Sequence, residues 1–427
     1  NINRLANRGV TLDNAISNCP VCTPARAMLV TGRYPQSTGH LINSTRTRHS
    51  EISIADAFAH QGYQTAWIGK WHLHTGHWPA LDRMPMQPDW VPKGRDRLGF
   101  DYWRAYNQHM VYFNGFVHKD DWNYERWEGY ETEGLLNYAF EFMNESKNDP
   151  FLMFLSPHQP HYTPEEFAPN RFYEMFVDKK FDTFPRTAIS DEMLSLIRGP
   201  DDPNRYSRHM LYNLMRMHND PASMANVCAQ IAIVDDGVGK IVSALKDKDL
   251  LEDTIVIYTA DQANLYGQHG LWGHTIQTRP SHLYDAAVRI PFIVRHPSVP
   301  TNYVSDALCS QIDLPSTVLD MVGTARQFDQ SAGTSFKAVL QGENHSRSEV
   351  FFEQEESRGV RTDQFSYWCR LPGAGPNVLF DHQRDPLQTQ NVAEQPEYSH
   401  VVEELHQKVT EFFRQYSDSK YDIWKAG

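Results

Sequence analysis

The chain reads as an α/β protein: a largely parallel central sheet flanked by helices, with a small antiparallel subdomain at its C-terminal end. Three observations predict this. Short β-branched and apolar runs alternate with amphipathic stretches as far as Gly333. Polar, chemistry-bearing residues directly follow the predicted strands, as in parallel sheets, whose sites collect at the carboxyl ends of strands. After Gly333 the pattern changes to short strands separated by turns, closed by one helix. Residues 1–333 are therefore expected to form the main α/β domain and residues 334–427 the subdomain.

Taken in order, the chain opens in a helix-like pattern, Asn1 to Ala6. Ile52 to Gln61 reads as a helix closed by Gly62, and Gln64 to Ile68 as a strand leading into Gly69-Lys70-Trp71-His72. Trp78 to Trp127 is rich in Trp, Tyr, Pro and Gly and reads as a long structured loop over the active face. Glu131 to Lys147 is helical, and Phe151 to Leu155 is a buried strand. Met224 to Leu245 is a long helix, with Ile231, Val234, Val238, Ile241 and Leu245 at helical spacing. Thr254 to Thr259 is a strand that delivers Ala260-Asp261-Gln262, and Ile290 to Val294 is another. Val350 to Glu353, Phe365 to Arg370 and Val378 to Asp381 are short strands before a helix from Ser399 to Tyr416.

Composition narrows the function. The 427 residues can bury a large core. A net charge of −13 argues against nucleic-acid binding. It leaves room for an anionic substrate, because a local cluster of Arg, Lys and His reverses the field inside a cleft. No apolar run is long enough to span a membrane. Five widely spread cysteines do not read as a disulfide framework.

The most informative segment is Cys22-Thr23-Pro24-Ala25-Arg26. Pro24 suits the first turn of a helix, where its missing N–H costs nothing. Cys22 then lies at a helix N-terminus, which favours negative charge, and Arg26 shares a face with it. Cys19-Pro20-Val21-Cys22 is also a Cys-x-x-Cys pair, but no second pair completes a zinc site. Cys19 is expected to be a buried structural cysteine.

From Asn18 through Gly39 this segment resembles the signature of the type I sulfatases, of the alkaline phosphatase-like superfamily. Gly69-Lys70-Trp71-His72-Leu73, Ser156-Pro157-His158-Gln159-Pro160-His161, Asp261-Gln262, Gly267 to His274, Leu283 to Pro291 and Gln311 to Pro315 continue the resemblance. It implies a sulfatase whose Cys22 is converted to formylglycine (3-oxoalanine) by a formylglycine-generating maturation enzyme. Hydrated, that aldehyde attacks sulfur with one hydroxyl, giving a covalent sulfo-enzyme intermediate. The second hydroxyl expels sulfate by re-forming the aldehyde.

The same resemblance assigns the other roles. Lys70 and His72 would neutralise the sulfuryl oxygens, Arg26 would be the fixed cation beside the nucleophile, His274 would donate a hydrogen bond to sulfate with a charge that depends on pH, and His161 would protonate the leaving alcohol. Asp261 and Gln262 would ligate Ca2+, with Mg2+ as the other hard cation. His274 departs from the family, which commonly has lysine there. Related sulfatases begin with a buried strand ending in two calcium-binding aspartates. That pair is absent here, and an omitted N-terminal segment is the expected reason. Asp235-Asp236, mid-helix, is read as structural rather than as a replacement. His74 and His77 fall outside the motif, and His269 is read as a supporting or packing group.

The substrate is expected to be a sulfated small molecule or glycan, with Trp103, His109 and His158 as candidate substrate contacts. Phosphonate monoester or phosphodiester hydrolysis is the alternative within the superfamily, and a non-catalytic sulfated-glycan binder the alternative outside it. A periplasmic or secreted location follows from the family analogy alone.

Overall fold

A computed structural model describes residues 1–43, 45–74, 90–109, 111–146, 149–161, 169–182, 184–191, 221–324, 328, 330–343 and 347–425. His77 and the first part of the aromatic stretch lie outside them.

Fifteen strands are described. They are β1 (Val10–Ile16), β2 (Gln64–Lys70), β3 (Tyr102–Tyr106), β4 (Phe116–His118), β5 (Tyr124–Arg126), β6 (Phe151–Ser156), β7 (Val256–Thr259), β8 (Leu265–Tyr266), β9 (Trp272–Gly273), β10 (Phe292–Arg295), β11 (Tyr303–Ser310), β12 (Glu349–Gln354), β13 (Ser357–Thr362), β14 (Phe365–Arg370) and β15 (Val378–Asp381). The main α/β layer consists of two sheets, ordered β11-β1-β10-β7 and β5-β4-β3-β2-β6. The pairs β1/β11, β2/β3 and β2/β6 are parallel, whereas β10 runs antiparallel to both β1 and β7. β6 and β7 each lie at one edge of their sheet, and both are only partly buried despite their apolar sequences. Leu152 and Phe154 of β6 nonetheless pack on the same core cluster as Ile257 of β7.

The Cys22–Thr31 helix is buried along all ten of its residues. A helix covered on every side must be apolar or have its polar side chains partnered, as Thr23, Arg26 and Thr31 are here. Here Leu29 faces one core cluster, Ala27 and Val30 a second, and Met28 a third. It ends at Gly32, whose φ of 62° is the left-handed conformation that glycine adopts without steric cost.

The C-terminal sheet is a meander, β12-β13-β14-β15, antiparallel throughout. The Ser399–Tyr416 helix covers one face. Its Leu405, Val409 and Phe413, spaced four apart, pack on Val360, Tyr367 and Leu379. Each such burial is worth about 1.5–3 kcal/mol. The other face is not independent of the main layer: Val350, Phe352 and Trp368 share a core with Ile16, Val288 and Leu308. Asn18 fastens the same seam, donating to the Phe351 carbonyl at 2.7 Å and accepting from Ile312 N–H at 3.0 Å.

Seven expected strands meet the structure closely, and eight others are added: β1, β8, β9, β11 and β13, together with β3, β4 and β5, which lie in the aromatic stretch read as a loop and extend the β2/β6 sheet. The pair Asp235-Asp236 is structural. Asp235 accepts from the Ile2 N–H at 2.7 Å, and Asp236 pairs with Arg171 at 2.6 Å and Lys240 at 2.9 Å.

Candidate active site

The site forms where β1, β2, β6 and β7 end. Cys22 opens its helix and is 2% exposed. Asn43 Oδ1 accepts from the Thr23 N–H at 3.0 Å, so a first-turn amide is satisfied by a side chain from another loop. The Thr23 hydroxyl donates to the His72 carbonyl at 2.9 Å and ties the helix start to the turn after β2.

That turn is built by its tryptophan. Trp71 is fully buried, with its ring 4.7 Å from Trp67 and 5.2 Å from Trp103. Anchoring Trp71 in the core sends Lys70 and His72 the other way. Gly69 just before them has a φ of 99°, and a Cβ there would lie 2.3 Å from the Ser156 carbonyl oxygen. Only glycine lets β2 and β6 approach this closely at the site. His72 itself takes a left-handed φ of 60°, with its N–H held by the Asn107 carbonyl at 2.9 Å.

Arg26 is the central cation. Its Nη1 donates to the Lys70 carbonyl and to Ser156 Oγ, both at 2.8 Å, and its Nη2 meets Asp261 Oδ2 at 2.9 Å. One guanidinium thus holds the ends of β2 and β6 and the residue that follows β7. Asp261 is fixed from behind, its carbonyl accepting from Ser17 Oγ and Gln311 Nε2, both at 2.8 Å. Burial opposes its charge, but Arg26, Lys70 and His161 outweigh burial and hold its carboxyl below the ordinary aspartate range.

Around the Cys22 sulfur stand Lys70 Nζ at 3.6 Å and Gln262 Nε2 at 3.5 Å. Burial pushes the thiol up; Lys70 and the His72 ring pull it down further, to about 7. The side-chain donors of Cys22, His161 and His274 all lie within 4.8 Å of one another. Burial, with neighbouring cations, lowers His72 to about 4 and His274 to about 3, so both rings are neutral at pH 7. The fixed positive charge facing the sulfur is therefore carried by Lys70, offset in part by Asp261. Such a cluster suits a tetrahedral anion.

Position 161 is set by the turn after β6. The His161 N–H bonds the His158 carbonyl at 2.8 Å, and the His161 carbonyl accepts from the Tyr112 hydroxyl at 2.9 Å.

The structure therefore gathers Cys22, Arg26, Lys70, His72, His161, Asp261, Gln262 and His274. It does not bring in the three expected substrate contacts. Trp103 is 1% exposed in the core, with Arg97 stacked 4.8 Å over its ring, so the stacking face expected of it is covered. His109 is spent on an internal stack 3.7 Å from Tyr106, with Nε2 at 2.8 Å from the Phe116 carbonyl. His158 is buried, its Nδ1 2.5 Å from Glu131 Oε2. Ser17, Ser156, Gln311 and Glu131 were missed, although Ser156 and Gln311 lay within segments that carry the resemblance. Cys19 is buried, and burial raises its thiol well above the ordinary range, as befits a structural residue. His74 and His269 stay outside the cluster, pairing with Asp96 and stacking on Tyr284 respectively.

A hard cation needs oxygen ligands. Asp261 offers a carboxylate, and Gln262 Oε1 is buried with no hydrogen-bond partner among the described residues. Both are of the right kind, but two donors fall short of the about six to eight oxygens that calcium takes. The described residues alone do not form a calcium cage.

Comparison with known proteins adds the family context. Residues 1–324 match the family model described as Sulfatase, and residues 267–415 the one described as N-sulphoglucosamine sulphohydrolase, C-terminal. An ulvan-active sulfatase from Formosa agariphila is 25% identical over 98% of this chain and 76% of its own length. The N-acetylglucosamine-6-sulfatase of Bos taurus is 30% identical over 82% of this chain and 62% of its own. Among solved structures, yidJ from Bacteroides fragilis shares the fold with a TM-score of 0.83 at 24% identity, covering 99% of this chain and 92% of that one. No described helix is long and apolar enough to cross a membrane.

Proposed function

The chain belongs to the sulfatase family of sulfuric ester hydrolases, and from that premise we propose that it removes sulfate from a carbohydrate at the Cys22 cluster. The observation that carries this reading is the convergence of Lys70, Gln262, His161 and His274 on one buried sulfur at a helix N-terminus. The relatives described as acting on ulvan and on N-acetylglucosamine 6-sulfate support a sugar as the alcohol.

Formylglycine at position 22, made by a maturation enzyme, would supply a hydrated aldehyde as nucleophile in place of the thiol. The residues fit it: the position is buried, at a helix N-terminus, with the Lys70 ammonium 3.6 Å from the sulfur. Lys70 places a positive charge where the sulfuryl oxygens gather. Arg26 reaches the site only through its partners, holding Lys70, Ser156 and Asp261 in register. His161, half-buried and fixed by both its backbone groups, is the group placed to protonate the departing alcohol. His274 and His72, held neutral, donate hydrogen bonds rather than charge. Asp261 and Gln262 would supply two of the oxygens that hold a calcium or magnesium ion.

The test joins two measurements. Peptide mass spectrometry across Cys22 in protein from its native host should show the aldehyde. The same preparation should release sulfate from a sulfated N-acetylglucosamine. Faster turnover of an aryl phosphonate monoester than of every sulfate ester tried would overturn the assignment in favour of phosphonate hydrolysis.

A further inference from the structure

We propose that the unconverted, thiol-bearing form of this chain is a zinc-binding protein, with Cys22 Sγ and one ring nitrogen each from His161 and His274 as ligands. This goes beyond the sulfatase reading and concerns a state in which that reading expects no turnover.

The geometry carries the proposal. The three donor atoms lie within 4.8 Å of one another, two on buried residues and one on a half-buried residue. Around a tetrahedral zinc, with bonds of about 2.3 Å to sulfur and 2.0–2.1 Å to nitrogen, donors stand roughly 3.3–3.6 Å apart. Closing from 4.8 Å to that spacing takes at most about 1.5 Å of relative side-chain movement. The two rings meet edge-on, centroids 5.6 Å apart at 68°, so both can aim at one point between them. One thiolate and two imidazoles are the donors zinc prefers over the hard cations, and three protein ligands leave a fourth position for water. His161, the half-buried member, gives that position its opening to solvent.

The ligand set depends on residue 274. A lysine there, as the family resemblance leads one to expect, would place a third cation beside Arg26 and Lys70 and remove a nitrogen donor. Lys70 opposes the metal from 3.6 Å and has to turn away from the sulfur as zinc enters. Asp261, whose charge acts on both Cys22 and His274, offsets part of that repulsion. The step balances simply: the thiol releases one proton to solvent, zinc gains a Zn–S bond, and no electron changes hands. Conversion of Cys22 to the aldehyde deletes the sulfur ligand, so the metal and the maturation enzyme compete for the same atom.

The experiment uses the full chain, produced without the maturation enzyme and shown by peptide mass to carry the thiol. Cobalt(II), the spectroscopic stand-in for zinc, is titrated under argon. One equivalent is expected to produce a thiolate-to-cobalt charge-transfer band with the d–d intensity of a tetrahedral site, and one equivalent of zinc to erase it. Cys22→Ala and His274→Lys should both lose the band, and the melting curve of the lysine variant verifies folding. Failure of cobalt to produce the band, or the same band in folded His274→Lys, overturns the proposal. The titration needs no turnover, so its failure leaves the sulfatase reading standing, and an absent aldehyde in native protein leaves the zinc site standing.

Discussion

Glu131, the first residue of its helix, holds His158 by a 2.5 Å contact between Oε2 and Nδ1, and both side chains are sealed from solvent. The carboxylate also accepts from the Tyr106 hydroxyl and from Gln159 Nε2 at 2.6 Å. Burial raises the Glu131 carboxyl, but His158 and Tyr106 overcome burial and keep it below the usual glutamate range. Two consecutive residues of the turn that carries His161 are therefore fixed by one buried anion. Glu131→Gln is expected to lower kcat about tenfold to a hundredfold by loosening that turn, with KM little changed. Glu131→Ala should cost about 3–5 kcal/mol, because His158 loses its buried partner. Steady-state kinetics and urea unfolding check the two; an unchanged kcat in folded Glu131→Gln would sink the positioning role.

Arg26 makes three contacts in directions a lysine cannot reproduce. Arg26→Lys should keep its charge near Asp261 yet release Ser156 or the Lys70 carbonyl. The expected result is a loss of about 10²–10³ in kcat, the scale of removing one preorganised donor. Activity within threefold of the parent, measured on the same sulfate ester, would show that charge alone suffices.

These partners also show where the sequence was legible and where it was not. The Ser399–Tyr416 helix was anticipated to the residue because its apolar side chains recur at one period over five turns. β1 was not, because Asp13 and Asn14 interrupt its apolar run and Asn14 spends its side chain on the Asp306 carbonyl at 2.7 Å. Motif residues were legible because they cluster locally. That Lys70, Ser156 and Asp261 all bond Arg26 was not, because they come from three separate strand ends and meet only in space. Glu131 looks in sequence like any acid in a first helical turn, where the dipole alone explains it. Trp103 misled for the opposite reason: aromatic richness does not separate a core from a stacking surface, and its ring turned inward.

The thiol form offers a direct reading of the site's electrostatics. Cys22 is held at about 7 against burial mainly by Lys70, 3.6 Å away. In Lys70→Met the thiol should titrate above its ordinary value, since burial then acts with less opposition. Alkylation of Cys22 at pH 7 should slow about tenfold or more, as the thiolate fraction falls. Equal alkylation rates in parent and variant across pH 6–9 would rule out Lys70 as the source of the shift.

Glu353 gives the fold a pH dependence of unusual sign. Burial raises its carboxyl to about 7, and Arg358, 3.5 Å away and shared with Asp422, only partly opposes this. The folded chain therefore keeps a proton that the unfolded chain releases near pH 4.5. That contribution is complete below pH 4.5 and is lost as the pH rises through 7. Glu353→Gln keeps the shape, removes the buried charge and leaves Arg358 paired with Asp422 at 2.8 Å. It should stabilise the chain at pH 8 by on the order of 1–3 kcal/mol and change little at pH 4.5. Urea midpoints for parent and variant should diverge as the pH rises; parallel curves would mean that the Glu353 carboxyl titrates where an ordinary glutamate does.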